Sequence, residues 1–499
     1  MKKTLILLLA LLTAACSCGC RDMWKQDANG KTDTEAPATD IPATEEPEWE
    51  PVYFGPEKAY SYTTEKGTSA RLLEEDIIQF ANDLLNPYNG HPLLTDRDTS
   101  VGAYYSNTLQ GCTTSLVNMY DPALREEFIR RINELIRDLP TFDSDYPHEA
   151  VIRLAEAAAI LHDTHTSLFA YSRYELPLRV YPFFSDDGCE LRVIGVPADS
   201  GLDDIIYSRI DAINGVPIAE CAERISACTS YEADSWRDFQ LYEFNSYPFI
   251  LDAALLRYYG IMEGDSAELT LTDLSGGTRK VGIASAVRGT TRLTFRDAGA
   301  DALESDIGLG LMWDNYDRNE WCKLLSDGET IYLRIFSCYP QSMSNTLKEL
   351  KALADEAGGV KQAIVDFRSN FGGSLSMNGS SYDVIQCLKG LDLERVCVLI
   401  DHGSCSSATI NPAHIVRVMD NAILVGMKSA QPTRFFYGGP GTLKNSGISY
   451  SMSHKFSDFW PGNEDDALTP DVTVYQTLED LMRGVDSVLD WVVNGGAEN

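Results

Sequence analysis

The sequence predicts an α/β multidomain protein (α+β in its overall assembly), and three observations carry that expectation. From Thr330 onward, apolar runs alternate with amphipathic segments: Ile331 to Phe336, a helix at 343–356, Ala363 to Phe367, a helix at 380–389, Val396 to Ile400, a helix at about 407–419, then Ala422 to Val425. Such alternation signals crossover units on a largely parallel sheet. The preceding stretch, 188–286, is rich in short strands separated by turns, and before it lies a helical portion. The chain has 499 residues, beyond the ~250–300 at which a single core stops growing, so more than one folded unit is required.

Taken in order, Lys2 and Lys3 precede the apolar run Leu5 to Ala15, too short to span a bilayer and of secretory length. Thr13-Ala14-Ala15-Cys16 resembles a bacterial lipoprotein processing site, which makes Cys16 the expected lipidated residue and 1–20 the signal peptide and anchor. Residues 31–50 hold seven acidic residues, one Lys and three Pro, with Ile41 and Trp49 the bulky apolar side chains. That composition cannot bury enough surface to order itself, so 21–52 is expected to be an acidic flexible linker. Over 53–185, helical periodicity is clearest at Tyr120 to Asp138 and Ala150 to Leu161. A β domain is expected over 186–290, with Asn214-Gly215 a two-residue turn signal and Ser275-Gly276-Gly277 joining a strand pair. The α/β core takes 291–499.

Composition excludes some functions. With 41 Lys and Arg against 74 Asp and Glu, the formal charge is −33, and no basic cluster offers a phosphate backbone the cations it needs. The 12 cysteines fall in no zinc-finger spacing. His162 and Asp163 adjoin, but no HExxH accompanies them, so no metal and no cofactor are expected.

Two loops of the α/β region carry chemistry-bearing residues. Ser369-Asn370-Phe371-Gly372-Gly373 follows one strand pattern and His402-Gly403-Ser404-Cys405-Ser406-Ser407-Ala408-Thr409 follows the next. Functional groups in such sheets gather after the strands' carboxyl ends. A Gly-Gly pair brings backbone N–H groups close to a ligand with no Cβ in the way. A serine at a strand-to-helix turn exposes its hydroxyl beside N–H groups that the first helical turn leaves unpaired. Together these can form a nucleophile and an oxyanion hole. Equally, Ser407 can be a helix N-cap and the glycines a turn. Pro412 predicts a local irregularity in the helix that follows.

Four ordered blocks resemble the tail-specific (carboxyl-terminal processing) serine protease family. They are Val365-Asp366-Phe367-Arg368-Ser369-Asn370-Phe371-Gly372-Gly373, Ser407-Ala408-Thr409, Ile423-Leu424-Val425-Gly426 nineteen residues past that serine, and Thr469-Pro470-Asp471-Val472-Thr473-Val474. The resemblance implies a protease core, a PDZ-like domain over the strand-rich segment with Ile210 to Ile218 its most recognisable stretch, and hydrolysis of polypeptides. It makes Ser407 the nucleophile rather than Ser406 or Cys405, since Ser407 keeps the spacing to Gly426, and makes Gly372, Gly373 and Ala408 the oxyanion donors. Where one branch places a catalytic lysine, 25 residues on, this chain has Pro432, the nearest lysine being Lys428. Leu161-His162-Asp163-Thr164-His165-Thr166 resembles instead the block of the tricorn-core-like branch, which takes a histidine as base. That implies His165 as base, held by Thr164 and by Glu464, six residues before Pro470. Relatives in that branch include proteins that bind without hydrolysing, so a catalytically inactive peptide- or ligand-binding lipoprotein stays open beside the peptidase. The partners expected are a polypeptide and, through the lipid on Cys16, the extracytoplasmic face of the membrane at the cell envelope.

Overall fold

The structure is a computed structural model that describes residues 65–85, 122–139, 148–168, 172–244, 247–296, 300–315, 317–339, 343–373, 381–460 and 462–495. The expected signal segment, Cys16 and the linker lie outside the described residues.

Three helices open the fold: Glu65–Leu85, Pro122–Asp138 and His148–Ala159. Phe128, Ile132 and Leu135 recur at helical spacing and are buried, while Arg130 on the opposite face pairs with Glu127 and Glu134. These side chains share one apolar cluster with Ile77 and Phe80, with Val151 and Leu154, and with Leu191, Val193, Ile210 and Ile213 of the β region. Each such residue fully buried contributes roughly 1.5–3 kcal/mol, so the helices and the β region are held as one packed body.

The β region is a seven-stranded antiparallel sheet running from Arg179–Ser185 to Leu293–Phe295, so its outermost strands fall outside the 186–290 span expected. Asn214 and Gly215 both have positive φ, +48° and +79°, as a tight turn between paired strands requires. Asn214 also ties that turn down, donating to Ile261 O at 2.9 Å and accepting from Glu268 N at 2.7 Å.

The α/β core is a six-stranded sheet in the order Glu320–Leu324, Thr330–Ile335, Gln362–Asp366, Arg395–Ile400, Ala422–Gly426, Val472–Thr473. Its first pair is antiparallel and the rest parallel. The inner parallel strands are apolar along their middles, as at Ala363 to Val365 and Val396 to Ile400, because both faces are covered. Helices Met343–Glu356, Ser381–Lys389 and Ser407–Val418 make the crossovers. Beneath the strand ends, Arg334 is fully buried, donating to Asp366 O at 2.9 Å and Arg368 O at 2.7 Å. Arg368 in turn pairs with Asp366 and Asp486. Burial pushes the Asp366 carboxyl up, but Arg368 and Arg334 outweigh it and hold the group at about 2.

A third sheet joins the parts. Ser167–Leu168, immediately after the histidine loop, pairs with Ser449–Asp458, which pairs with Arg434–Thr442. The eight cysteines placed among the described residues are free thiols.

Candidate active site

The turn after strand Arg395–Ile400 is held by its own polar groups. Ser404 Oγ donates to Phe367 O at 3.1 Å, Cys405 N to Asn370 O at 3.0 Å, and Thr409 Oγ1 to Ser404 O at 3.1 Å. These bonds force Ser406 to φ +57°, ψ −123°, a strained conformation for a residue with a side chain. Ser406 is the residue that caps the helix, and its side chain makes no capping bond. Ser407 is the first helical residue, buried, and its Oγ has no hydrogen-bond partner among the described residues. Capping therefore does not account for the Ser407 hydroxyl. Its polar neighbour is the Cys338 thiol, which burial pushes up and Ser407, Asn411 and Asn370 draw down, though Ser407 makes no hydrogen bond of normal geometry to it. Pro412 lies inside the helix, which runs on past it to Val418.

The glycine loop is pressed against that turn. Gly372 has φ +89°, and a Cβ there would stand 2.6 Å from Ser406 Cβ and 2.8 Å from Cys405 O. Gly373 has φ +147°, and its Cβ would stand 2.7 Å from Cys338 C. Neither position admits a side chain, because both the conformation and the space forbid it. Gly372 N–H donates to Asn370 Oδ1 at 2.8 Å, and Ala408 N–H to Cys405 O at 2.9 Å. Of the three expected oxyanion donors, Gly373 N–H is the one that no hydrogen bond among the described residues engages.

On the other side, Asp163 organises the histidine loop. Its carboxylate accepts from His165 N at 3.1 Å and Thr166 Oγ1 at 2.5 Å, and Ser230 Oγ donates to its carbonyl at 2.8 Å. Ser453 N closes the third sheet on Thr166 Oγ1 at 3.1 Å. The half-buried His165 ring stacks on Phe435, centroids 5.4 Å apart and planes at 10°. Phe435 also packs on Ile410, one turn beyond Ser407, so one buried ring spans the base loop and the serine helix. Burial lowers the His165 pKa against the pull of Asp163, which keeps the imidazole neutral near pH 7 and able to accept a proton.

Buried polar atoms with no hydrogen-bond partner among the described residues concentrate here: Thr164 Oγ1, His165 Nδ1, both carboxyl oxygens of Glu232, Ser407 Oγ and Gln431 Nε2. Gln431 Oε1 accepts from Ser406 N at 3.2 Å and Cys405 Sγ at 3.1 Å. The Glu232 carboxyl is pushed well up by burial and by Asp163, against Thr164, and its charge also acts on Cys405, so it lies between the two loops. Nothing in the sequence flags Glu232 or Gln431, which belong to no motif and act across long separations. Glu464 is placed elsewhere than expected: its exposed side chain pairs with Arg434. Arg434 precedes Phe435 on one strand and so faces the opposite side from the ring on His165, which leaves Glu464 without a bond to the imidazole. Lys428 is at the surface, 3.5 Å from Asp466. His162 packs edge-on against Tyr231, centroids 6.2 Å apart.

Comparison with models of known families gives no match, and none is found among curated proteins. Solved structures similar to this chain include mature CPAF, at 14% identity and TM-score 0.46 over 73% of this chain and 90% of that one. The photosystem II D1 C-terminal processing protease is similar at 12% identity and TM-score 0.31, over 71% and 91%. The tricorn protease is similar at 12% identity and TM-score 0.36, over 84% of this chain and 36% of that longer one. Likeness at this level assigns no residue a role.

Proposed function

We propose that the chain is a serine peptidase that hydrolyses polypeptides, with Ser407 as nucleophile and His165 as base. The observation that carries this reading is the buried, unpartnered Ser407 hydroxyl on a strained turn, pressed against two glycines that admit no side chain. In the reaction the Ser407 oxygen attacks the scissile carbonyl while His165 takes its proton; His165 then protonates the leaving amine, and water, deprotonated by His165, releases the acyl group. Gly373 N–H is the donor free to meet the oxyanion. We further propose that the body is tethered through Cys16 at the cell envelope.

A second reading has one observation in its favour. His165 Nδ1 has no hydrogen-bond partner among the described residues, whereas a working base is ordinarily oriented by one; a catalytically silent peptide-binding protein on this scaffold needs no such partner. Fluorophosphonate labelling of the intact protein separates the two. Adduct on Ser407, lost in Ser407→Ala and strongly slowed in His165→Ala, supports the peptidase. A folded protein that takes no label overturns it in favour of the binder.

A further inference from the structure

A cavity of about 290 Å³ lies between the β region and the core sheet. Neither Ser407, His165 nor the glycine pair belongs to its wall. Val180 and Ile194 line it from the β region, Trp313, Phe336 and Val488 from the core, and Phe371 from the glycine loop. Folded interiors are close-packed and hold few voids larger than a water molecule, whose share of liquid volume is ~30 Å³. This space is about ten times that, at the lower edge of the ~300–1,000 Å³ typical of small-molecule sites.

One polar group in the wall is left with an open valence for hydrogen bonding. Glu243 follows the helix Asp234–Tyr242, and its Oε1 is buried with no partner among the described residues. Burial, and then the charges of Asp401 and Asp238, push its carboxyl up to about 8, so it carries its proton at neutral pH. The wall also holds Arg179, Arg296, Arg368, Asp401 and Asp486, each with a contact of its own; Arg296 lies over the Tyr207 ring, 5.3 Å from its centroid. Arg368 is held by Asp366 and Asp486, and Asp401 accepts from Ser369 N at 2.8 Å and Gly403 N at 3.0 Å. A protonated carboxyl has one O–H to donate, and the complement of a buried donor among aromatic and aliphatic walls is an acceptor oxygen on an uncharged apolar body.

We propose that this cavity is a binding site for an uncharged apolar molecule whose carbonyl oxygen accepts a hydrogen bond from Glu243. The site is separate from the serine and stands whether or not Ser407 is a nucleophile. Because Phe371 forms part of its wall and Gly372 follows directly in the chain, a molecule bound there also rests on the loop that flanks Ser407.

The test titrates the full chain with prodan, an uncharged naphthalene ketone whose emission moves to the red when its carbonyl accepts a hydrogen bond. Saturable binding at one site is expected in the wild type. Glu243→Gln, which keeps a donor, should bind as the wild type does, whereas Glu243→Leu should bind about tenfold more weakly with bluer emission. Ile194 and Leu481 both line the space; Ile194→Trp and Leu481→Trp each fill it and should each abolish binding with the thermal unfolding midpoint retained, and using both guards against one variant failing to fold. No saturable binding by the wild type, unchanged binding in the folded tryptophan variants, or a Glu243→Leu protein indistinguishable from wild type would each overturn the proposal.

Discussion

The two sides of the candidate site are built differently. On the serine side, the loops at 366–373 and 401–407 follow adjacent parallel strands and bond directly to each other through Cys405 N, Ser404 Oγ and the close approach of Gly372. On the histidine side, the loop at 161–166 belongs to the helical body and reaches the core through two residue pairs of strand and one aromatic ring. The first side is fixed by sheet register, which leaves the Ser407 neighbourhood little freedom. The second depends on how two bodies dock, and among the described residues unpartnered atoms fall on both sides, on Thr164, His165 and Glu232 here and on Ser407 and Gln431 there. A site assembled this way carries its precision on one half and its adjustability on the other.

That contrast can be broken or sharpened, starting with the largest effect. Ser407→Ala should lower peptide hydrolysis by roughly 10⁶-fold with folding unchanged, on the precedent of nucleophile removal elsewhere; turnover that survives would remove the serine side from the chemistry. Gly372→Ala comes next. The added Cβ meets Ser406 Cβ at 2.6 Å, so it should cost about 1–3 kcal/mol in urea unfolding and slow labelling of Ser407 by displacing the turn that carries it. A tolerated alanine would mean the serine side is looser than its bonds imply. On the histidine side, Asp163→Ala strips partners from His165 N and Thr166 Oγ1 and should destabilise by about 1–3 kcal/mol.

Smaller effects concern charge. Because burial lowers the His165 pKa, the base stays neutral to lower pH than free imidazole does, so the acid limb of the kcat/KM profile should fall below pH ~6.5. A limb above that value would contradict the burial of the ring. Glu464→Gln should change activity less than about threefold, since an exposed ion pair contributes little. A hundredfold loss would instead return Glu464 to the imidazole.

Much of the fold was legible because buried parallel strands write themselves as apolar runs: Ala363 to Phe367 and Val396 to Ile400 could be nothing else between helical patterns. The serine side was legible for a related reason. Its parts follow strand ends in order, and Gly372 and Gly373 are glycines because of local geometry. The histidine side was only half legible. Asp163, Thr164 and His165 are neighbours in sequence, but the groups that meet them are not: Ser230 lies 67 residues away, and Phe435 comes from a distant hairpin. Glu464 shows the same limit from the other direction, since a carboxylate in an acidic loop is readable while the nearby arginine that takes it, 30 residues upstream, is not.

The third sheet has a temporal consequence. The strand that seats the histidine loop, Ser449–Asp458, follows Ser407 in the chain. During synthesis His165 emerges early and Ser407 late, and the two cannot meet until that last hairpin has closed on Ser167–Leu168. On the proposed reading, hydrolysis therefore begins only after that hairpin has closed, because order of emergence keeps nucleophile and base apart until then.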